Sequence, residues 1–437
     1  MSTTSLPEPL AGYEPPAAIT EVLSRLKERG FRAFLVGGCV RDLLLRKKPK
    51  DFDVATSARP EEVQDTFRKV IPTGIEHGTV TVLTHGTQVE VTTFRKEGDY
   101  LDGRRPSTVE FHSEVEADLS RRDFTINAMA FDPVGRLLVD PFGGQADLAA
   151  CTIRCVGAAL DRFSEDGLRP LRAVRFAAVL HFEIEGATLA AIPSTLEVFR
   201  KVANERIREE LSKLLLSDQP WHGTRLLRET GLLGIFLPES LEGPEDFDRR
   251  GGAAQAATSV LEVRLAALLW RCPGARDALK RLTFPTRVIE VVTKLLEHPL
   301  LREMPPLTGL DEARAREVAA LTDAQVRRSF SEGGPALSDR AIWLQEALWS
   351  GSSPPARDLI AAFKARAQAV LDANPPLSPK QLALDGNAIM AALGVGPSRA
   401  VGDATRFLMD QVLEDPALNT RETLASLLRN WAKDRGL

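Results

Sequence analysis

The segment Leu35-Val36-Gly37-Gly38-Cys39-Val40-Arg41-Asp42, followed by Asp51-Phe52-Asp53, decides how the N-terminal part of the chain is read. Phe31 to Val36 is a short apolar run of strand character, Gly37-Gly38 turns the chain, and a helix begins near Val40. Phe52 to Ala55 is a second strand, and the alternation of side chains along a strand sends Asp51 and Asp53 to the same face. Two carboxylates side by side repel unless a cation sits between them. Mg²⁺ takes a few carboxylates together with substrate phosphates, so this pair beside a glycine turn suits a metal-bound nucleoside triphosphate. Glu90, within the apolar strand Val89 to Val91, is a third acid that needs a metal or a cationic partner. A turn or a surface strand is the other explanation of Asp-x-Asp, and the glycine turn with Glu90 favours the metal site.

Outward from that segment, Ile19 to Arg29 has helical spacing and is closed by Gly30, Pro60 to Val70 is a helix opened by proline, and Thr79 to Phe94 forms two alternating strands hinged at His85-Gly86. Beyond Asp161 strand signals fade, and apolar residues recur at helical spacing in Leu168 to Leu180, Leu211 to Leu216 and Ala253 to Trp270. The expected fold class is α+β, a mixed sheet with helices followed by a mostly helical remainder. Ser2 to Pro16 lacks periodicity and reads as a flexible tail.

At 437 residues the chain is too long for a single core. With 43% hydrophobic and 27% charged residues it is an ordinary globular composition, not a disordered one. A net charge of -4 argues against a surface coated in positive charge but allows a local basic groove. Cys39, Cys151, Cys155 and Cys272 have no CxxC spacing and fit reduced thiols. No apolar run is long enough for a bilayer and no leader precedes the first helix, so the expected location is the cytoplasm, away from membranes. Lys201 to Arg228 interleaves cations with aliphatic residues, either a solvated helix face or a phosphate-tracking surface.

The sequence resembles the nucleotidyltransferases of the DNA polymerase beta superfamily, and within it the class II tRNA nucleotidyltransferase and bacterial poly(A) polymerase family. The opening segment looks like the family's first motif, Arg121-Arg122-Asp123-Phe124-Thr125-Ile126-Asn127-Ala128 its second, and Asp140-Pro141-Phe142-Gly143-Gly144 its third. Glu165-Asp166-Gly167-Leu168-Arg169 with Arg172 and Arg175-Phe176 looks like the fourth, and Glu205-Arg206-Ile207 to Leu215 like the fifth. The resemblance covers Phe31 to Pro238 and implies a polymerase-beta-like head at 18–158, a helical neck at 159–240, and a helical body and tail at 241–437, after a tail at 1–17. It implies template-independent addition or repair of the 3′-terminal CCA of tRNA from CTP and ATP. A poly(A) polymerase, a CC-only or an A-only enzyme shares the same motifs.

In that family's terms Asp51 and Asp53 hold two Mg²⁺ ions, with Glu90 beside them. Gly38 lets the backbone approach the triphosphate, and Arg41 offers a fork of donors to phosphate, or else forms a surface ion pair. Asp123 accepts from the ribose hydroxyl, with Arg122 facing phosphate or base; alternatively Asp123 caps a helix over Phe124 to Met129. Asp166 and Arg169 lie one helical turn apart and imitate a base-pairing edge that accepts the amino group shared by cytosine and adenine. Arg172 and Arg175 continue the face toward base or phosphate, or form a plain helix rim. Pro170 places the start of that helix beside Gly167.

The polar, glycine-bearing stretch Arg95 to Pro106 corresponds to a family loop needed for adding the terminal A, or is a solvated hairpin end. Beyond Trp270-Arg271 the only histidine is His298, so the metal-dependent phosphohydrolase domain of some relatives has no ligands here. The helical body and tail are then expected to receive the tRNA acceptor and T arms by shape and phosphate contacts.

Overall fold

A computed structural model describes residues 6–75, 78–97, 109–242, 244–302 and 310–435. The chain divides into two compact units, Met1–Leu214 with Leu226–Phe236, and Leu215–Arg225 with Leu237–Leu437.

The first unit is built on a seven-stranded mixed sheet. Its strands are β1 (Ala33–Val36), β2 (Asp53–Thr56), β3 (Val70–Gly74), β4 (Thr79–Thr84), β5 (Thr87–Thr93), then a separate hairpin of β6 (Arg95–Glu97) and β7 (Val109–Phe111), and finally β8 (Ala130–Asp132) and β9 (Leu137–Val139). The order across the main sheet is β3-β4-β5-β2-β1-β8-β9. Only β2 and β5 run parallel, and their register sets Asp53 opposite Glu90. Phe34, Val36, Ala55, Phe94, Val115, Leu119, Ala128 and Ala130 form one buried cluster beneath the sheet. Aliphatic and aromatic residues at alternate positions make this face, and Asp53 stands two residues before Ala55, at the exposed end of β2.

The helices up to residue 180 are α1 (Glu8–Ala11), α2 (Ala17–Glu28), α3 (Gly38–Leu44), α4 (Pro60–Thr66), α5 (Val115–Ser120), α6 (Gly144–Ala149), α7 (Ala159–Glu165) and α8 (Arg169–Leu180). The strand, glycine turn and helix at the start of the sheet, and the hairpin turned by His85 and Gly86 at positive φ, stand where the sequence places them. Several readings are corrected. Residues 6–16 are not a free tail: Leu10 of α1 is fully buried, Glu8 pairs with Arg46, and the Ala11 carbonyl accepts from Arg136. The helix from Pro60 ends at Thr66, because Val70 begins β3, an edge strand whose Pro72 and exposed side chains hide the strand signal. Phe124 to Met129 makes only a single 3-10 turn, Thr125–Asn127, before β8 takes the chain. Ala253 to Trp270 breaks into Pro244–Ala256 and Leu261–Leu268.

The second unit is helical among the described residues. Arg264 and Arg250 lie buried inside it and donate to carbonyls at chain breaks, Arg264 to Leu215, Ser217 and Ala257, and Arg250 to Ser240 and Glu242. A buried cation satisfied by several carbonyls replaces water at helix ends that packing has closed off. His298 packs so tightly on Gly333 that a Cβ there would lie 2.1 Å from its Nε2. No helix among the described residues is long and apolar enough to cross a membrane.

Candidate active site

Gly37 has φ of 76°, a conformation that favours glycine, and a Cβ there would lie 2.7 Å from Arg122 Nη1. Gly38, the glycine picked out by the sequence, begins α3 and has only ordinary contacts, so the close approach belongs to its neighbour. The same point above Gly37 is 3.9 Å from Asp53 Oδ2, which puts the Arg122 guanidinium, the glycine turn and Asp53 in one place.

Asp53 begins β2 and Asp51 lies two residues earlier, ahead of the strand rather than within it as the sequence suggested, and both are exposed. Protein packed around the Asp53 carboxyl strips hydration from it and raises its pKa; Arg122 opposes this and Asp51 reinforces it. Arg122 Nη2 donates to Asp118 Oδ2 at 3.1 Å, while its buried Nε has no hydrogen-bond partner. Asp118 is fully buried; burial pushes its pKa up, but Arg122 and Arg121 outweigh that and leave it below the usual carboxylate range. Glu90 is exposed and stands beside Asp53 in register, hence on the same face of the sheet. No group of three or more His, Cys, Asp or Glu poised for a metal occurs among the described residues. Asp51 and Asp53 by themselves are a pair of hard oxygen donors, the kind a divalent ion takes when it shares its remaining ligands with phosphate.

Arg41 uses its fork inside the protein. Its Nε and Nη2 donate to Asp42 Oδ1 at 2.9 and 2.7 Å, and Nη1 to Asn127 Oδ1 at 2.8 Å. Asn127 in turn donates to Asp123 Oδ1 at 3.1 Å, and Arg172 donates to Asp123 Oδ2 at 2.8 Å. Asp123 also accepts from the Phe124 amide at 2.9 Å. Burial alone would raise Asp123, yet Arg172 and Asn127 bring it down to about 2. It is therefore held as an anion within this network, and the cap position of the 3-10 turn falls to Phe124.

Arg172 and Arg175 both reach Glu210, Arg175 Nε at 2.5 Å, and both lie over the Phe176 ring, as Arg41 does from the other side of the network. Arg175 is closest, 3.6 Å from the ring centroid. Burial lowers the pKa of Arg175, with Glu210 opposing, whereas Asp123 and Glu210 raise that of Arg172 despite its burial. Each cation is desolvated, and the ring and the buried carboxylates supply the compensation.

Asp166 and Arg169 do not share a helix. Asp166 ends α7 in an extended conformation, Arg169 begins α8 with Pro170 in its first turn, and Gly167 allows the junction by packing against the Val198 carbonyl. Arg206, on helix Asn204–Leu215, clamps Asp166 with two bonds of 3.0 and 2.7 Å, and the Leu168 amide donates to Oδ1 at 3.0 Å. Arg169 donates to Glu165 at 2.7 Å and to the carbonyls of Arg162 and Arg121. The two still lie side by side at the junction, joined by the Arg169 amide and the Asp166 carbonyl at 3.0 Å.

Asp118, Asn127, Phe176, Arg206 and Glu210 were not picked out as site residues from sequence, although Asn127, Phe176, Arg206 and Glu210 stand inside the quoted motifs. Spacing was a usable signal for Arg172 and Arg175 reaching one acid, but nothing local marks Glu210 as that acid. The loop Arg95 to Pro106 lies largely outside the described residues, from 98 onward.

A family model described as the poly A polymerase head domain matches residues 33–154, and one described as the probable RNA and SrmB-binding site of polymerase A matches 181–242. A CCA-adding enzyme of Limosilactobacillus fermentum is 36% identical over 419 residues, 95% of this chain and 96% of that one. A CCA-adding enzyme of Lactobacillus delbrueckii subsp. bulgaricus is 51% identical over 211 residues, covering 48% of this chain and 53% of its own. Among solved structures, the Bacillus stearothermophilus CCA-adding enzyme in complex with CTP superposes with a TM-score of 0.77 at 29% identity, covering 97% of this chain and 100% of that one. With the glycine turn, the paired aspartates and the arginine network all present, and a relative matched along nearly the whole of both chains, this protein belongs to the family of CCA-adding enzymes, nucleotidyltransferases that act in tRNA processing.

Proposed function

We propose that Asp51 and Asp53 are the Mg²⁺ ligands with which this nucleotidyltransferase adds or repairs the 3′-terminal CCA of tRNA from CTP and ATP. The observation that carries the reading is geometric: Asp53 stands opposite Glu90 in register, beside the Gly37 turn and Arg122, with Asp51 near enough to raise its pKa, and such crowded carboxylates gain most from a bound divalent cation. When bound, the metal supplies a lowered pKa at the RNA 3′-hydroxyl and neutralisation of the departing pyrophosphate. The 3′ oxygen bonds to the α-phosphorus as the α–β anhydride bond breaks and pyrophosphate leaves with the electron pair. Glu90 adds negative charge on the same face, and Arg122, wedged against Gly37, is the fixed cation nearest the carboxylates.

Asp166 accepts three protein hydrogen bonds, and an ionised carboxylate offers about four lone-pair sites. One site is left for the amino group that cytosine and adenine carry and uracil lacks. Arg169 lies next to it as the donor half of the same edge. Asp123, Arg172, Arg175 and Arg41 then hold the pocket's shape from behind, and Gly38 continues the turn. In this reading 18–158 is the head, 159–240 the neck, and 241–437 the body and tail that take the acceptor and T arms, in a cytoplasmic enzyme.

The test is incubation with a tRNA lacking CCA, an unrelated RNA and each labelled nucleoside triphosphate in turn. Two cytidines and one adenosine on the tRNA alone support the reading. Long A tracts on either RNA identify a poly(A) polymerase, and arrest after CC, or A addition only, identifies the split-function relatives.

A further inference from the structure

A cavity of about 610 Å³ lies in the first unit; none of the residues assigned above lines it, although Phe52 between Asp51 and Asp53 does. Tyr13, Pro15 and Pro16 form one wall, Arg46, Lys47 and Lys48 the other, and Phe52 reaches its floor. The basic wall is held by backbone: the Leu45, Arg46 and Lys47 amides close α3 onto Arg41, Leu43 and Asp42, with Arg46 in a left-handed conformation at φ of 55°. The acids nearby are spoken for, Glu8 by Arg46 and Glu14 by Arg136. Lys47, Lys48 and the adjacent Lys50 are exposed and make no ion pair among the described residues. Unpaired cations fixed beside flat, rigid surfaces are an arrangement for a sugar-phosphate chain, and they occur on a protein whose net charge is -4.

We propose that this groove binds the backbone of the tRNA substrate, with Lys47 and Lys48 on its phosphates and the Tyr13–Pro16 wall against its sugars, a role that rests on the enzyme being a tRNA nucleotidyltransferase. Phe52, which lines the groove, stands in the chain between Asp51 and Asp53, just ahead of β2. The groove runs from Phe52 to Lys47 and Lys48, so a polymer leading away from the reacting end is the substrate able to follow it. The lysines act on RNA affinity and not on nucleotide affinity.

The experiment is titration of a CCA-lacking tRNA into the full chain carrying Lys47→Ala and Lys48→Ala, over a series of salt concentrations, with CTP KM measured in parallel at saturating tRNA. The expected result is a tRNA Kd raised about five- to tenfold at moderate salt and a salt slope flatter by about 1 to 2 units, with CTP KM unchanged. Lys47→Arg with Lys48→Arg should bind as wild type does. An unchanged tRNA Kd and slope, or a raised CTP KM with tRNA affinity intact, overturns the proposal. Because binding is read without turnover, a wild type that failed to add CMP or AMP would count against the enzymatic reading alone and leave the groove to stand or fall on the titration.

Discussion

Arg206 grips Asp166 through both carboxylate oxygens, at 3.0 and 2.7 Å, across a separation of 40 residues. The acid to which the family resemblance assigns base reading is thus aimed by a cation from another helix, and the proposed substrate contact at its remaining lone pair depends on that aim. Both parts of that statement are testable.

Asp166→Ala is expected to relax discrimination between CTP and UTP by about tenfold or more, on the order of 1–3 kcal/mol, with a smaller change in triphosphate affinity. Arg206→Ala should move the same ratio in the same direction but less, because the acceptor stays and only its aim is lost. Single-turnover incorporation of each nucleotide measures both. A CTP-to-UTP ratio unchanged in both variants would place base choice elsewhere.

Asp51→Asn and Asp53→Asn should each abolish incorporation of CMP and AMP and leave tRNA binding near wild type, read by labelled-nucleotide assays and tRNA titration. Stability in metal-free buffer should go the other way for Asp53. Its folded pKa is raised, so the folded state holds the extra proton between the unfolded and folded values, and stability falls as pH rises through that window. The Tm of Asp53→Asn is therefore expected above wild type at pH 7, with the gap closing as pH falls through the ordinary carboxylate range.

Asp123 has the opposite sign. Its pKa of about 2 lies below the unfolded value, so its stabilisation is present in full above the ordinary carboxylate range and is lost as pH falls toward 2. Wild type should exceed Asp123→Asn by on the order of 2 kcal/mol at pH 7 in urea denaturation, and that advantage should shrink between about pH 4 and pH 2. A constant difference across that range would remove the carboxylate's charge from the explanation.

Glu210→Ala leaves two desolvated guanidiniums, Arg172 and Arg175, without their shared acid and should cost about 3 kcal/mol of stability. Pairing it with Arg175→Met is expected to recover part of that loss, because the second change removes a buried charge that has no partner. Denaturation of the single and double variants closes the cycle; additive losses would show that the pair is not coupled.

The order of elements around the site, the pairing of Asp51 with Asp53, and the membership of Arg122, Asp123, Asp166 and Arg169 in ordered motifs were all legible in the chain, because each depends on local spacing. The two acids are near each other, though Asp51 lies ahead of β2 rather than in it, and Gly37-Gly38 had to turn. Short or edge strands were not legible: β3 carries a proline, and β8 is only three residues long, too few for a period to show. The packing of residues 6–16 was hidden too, since one buried leucine in a proline-rich stretch gives no pattern. Above all, the sequence by itself determined which charged residues the site contains, while the tertiary structure alone decided which of them face each other. Asp166 finds Arg206, Arg175 finds Glu210, and Arg41 turns inward to Asn127, because a buried charge must be met by whatever opposite charge or dipole the fold brings within reach, and that reach is set by packing between segments far apart in the chain.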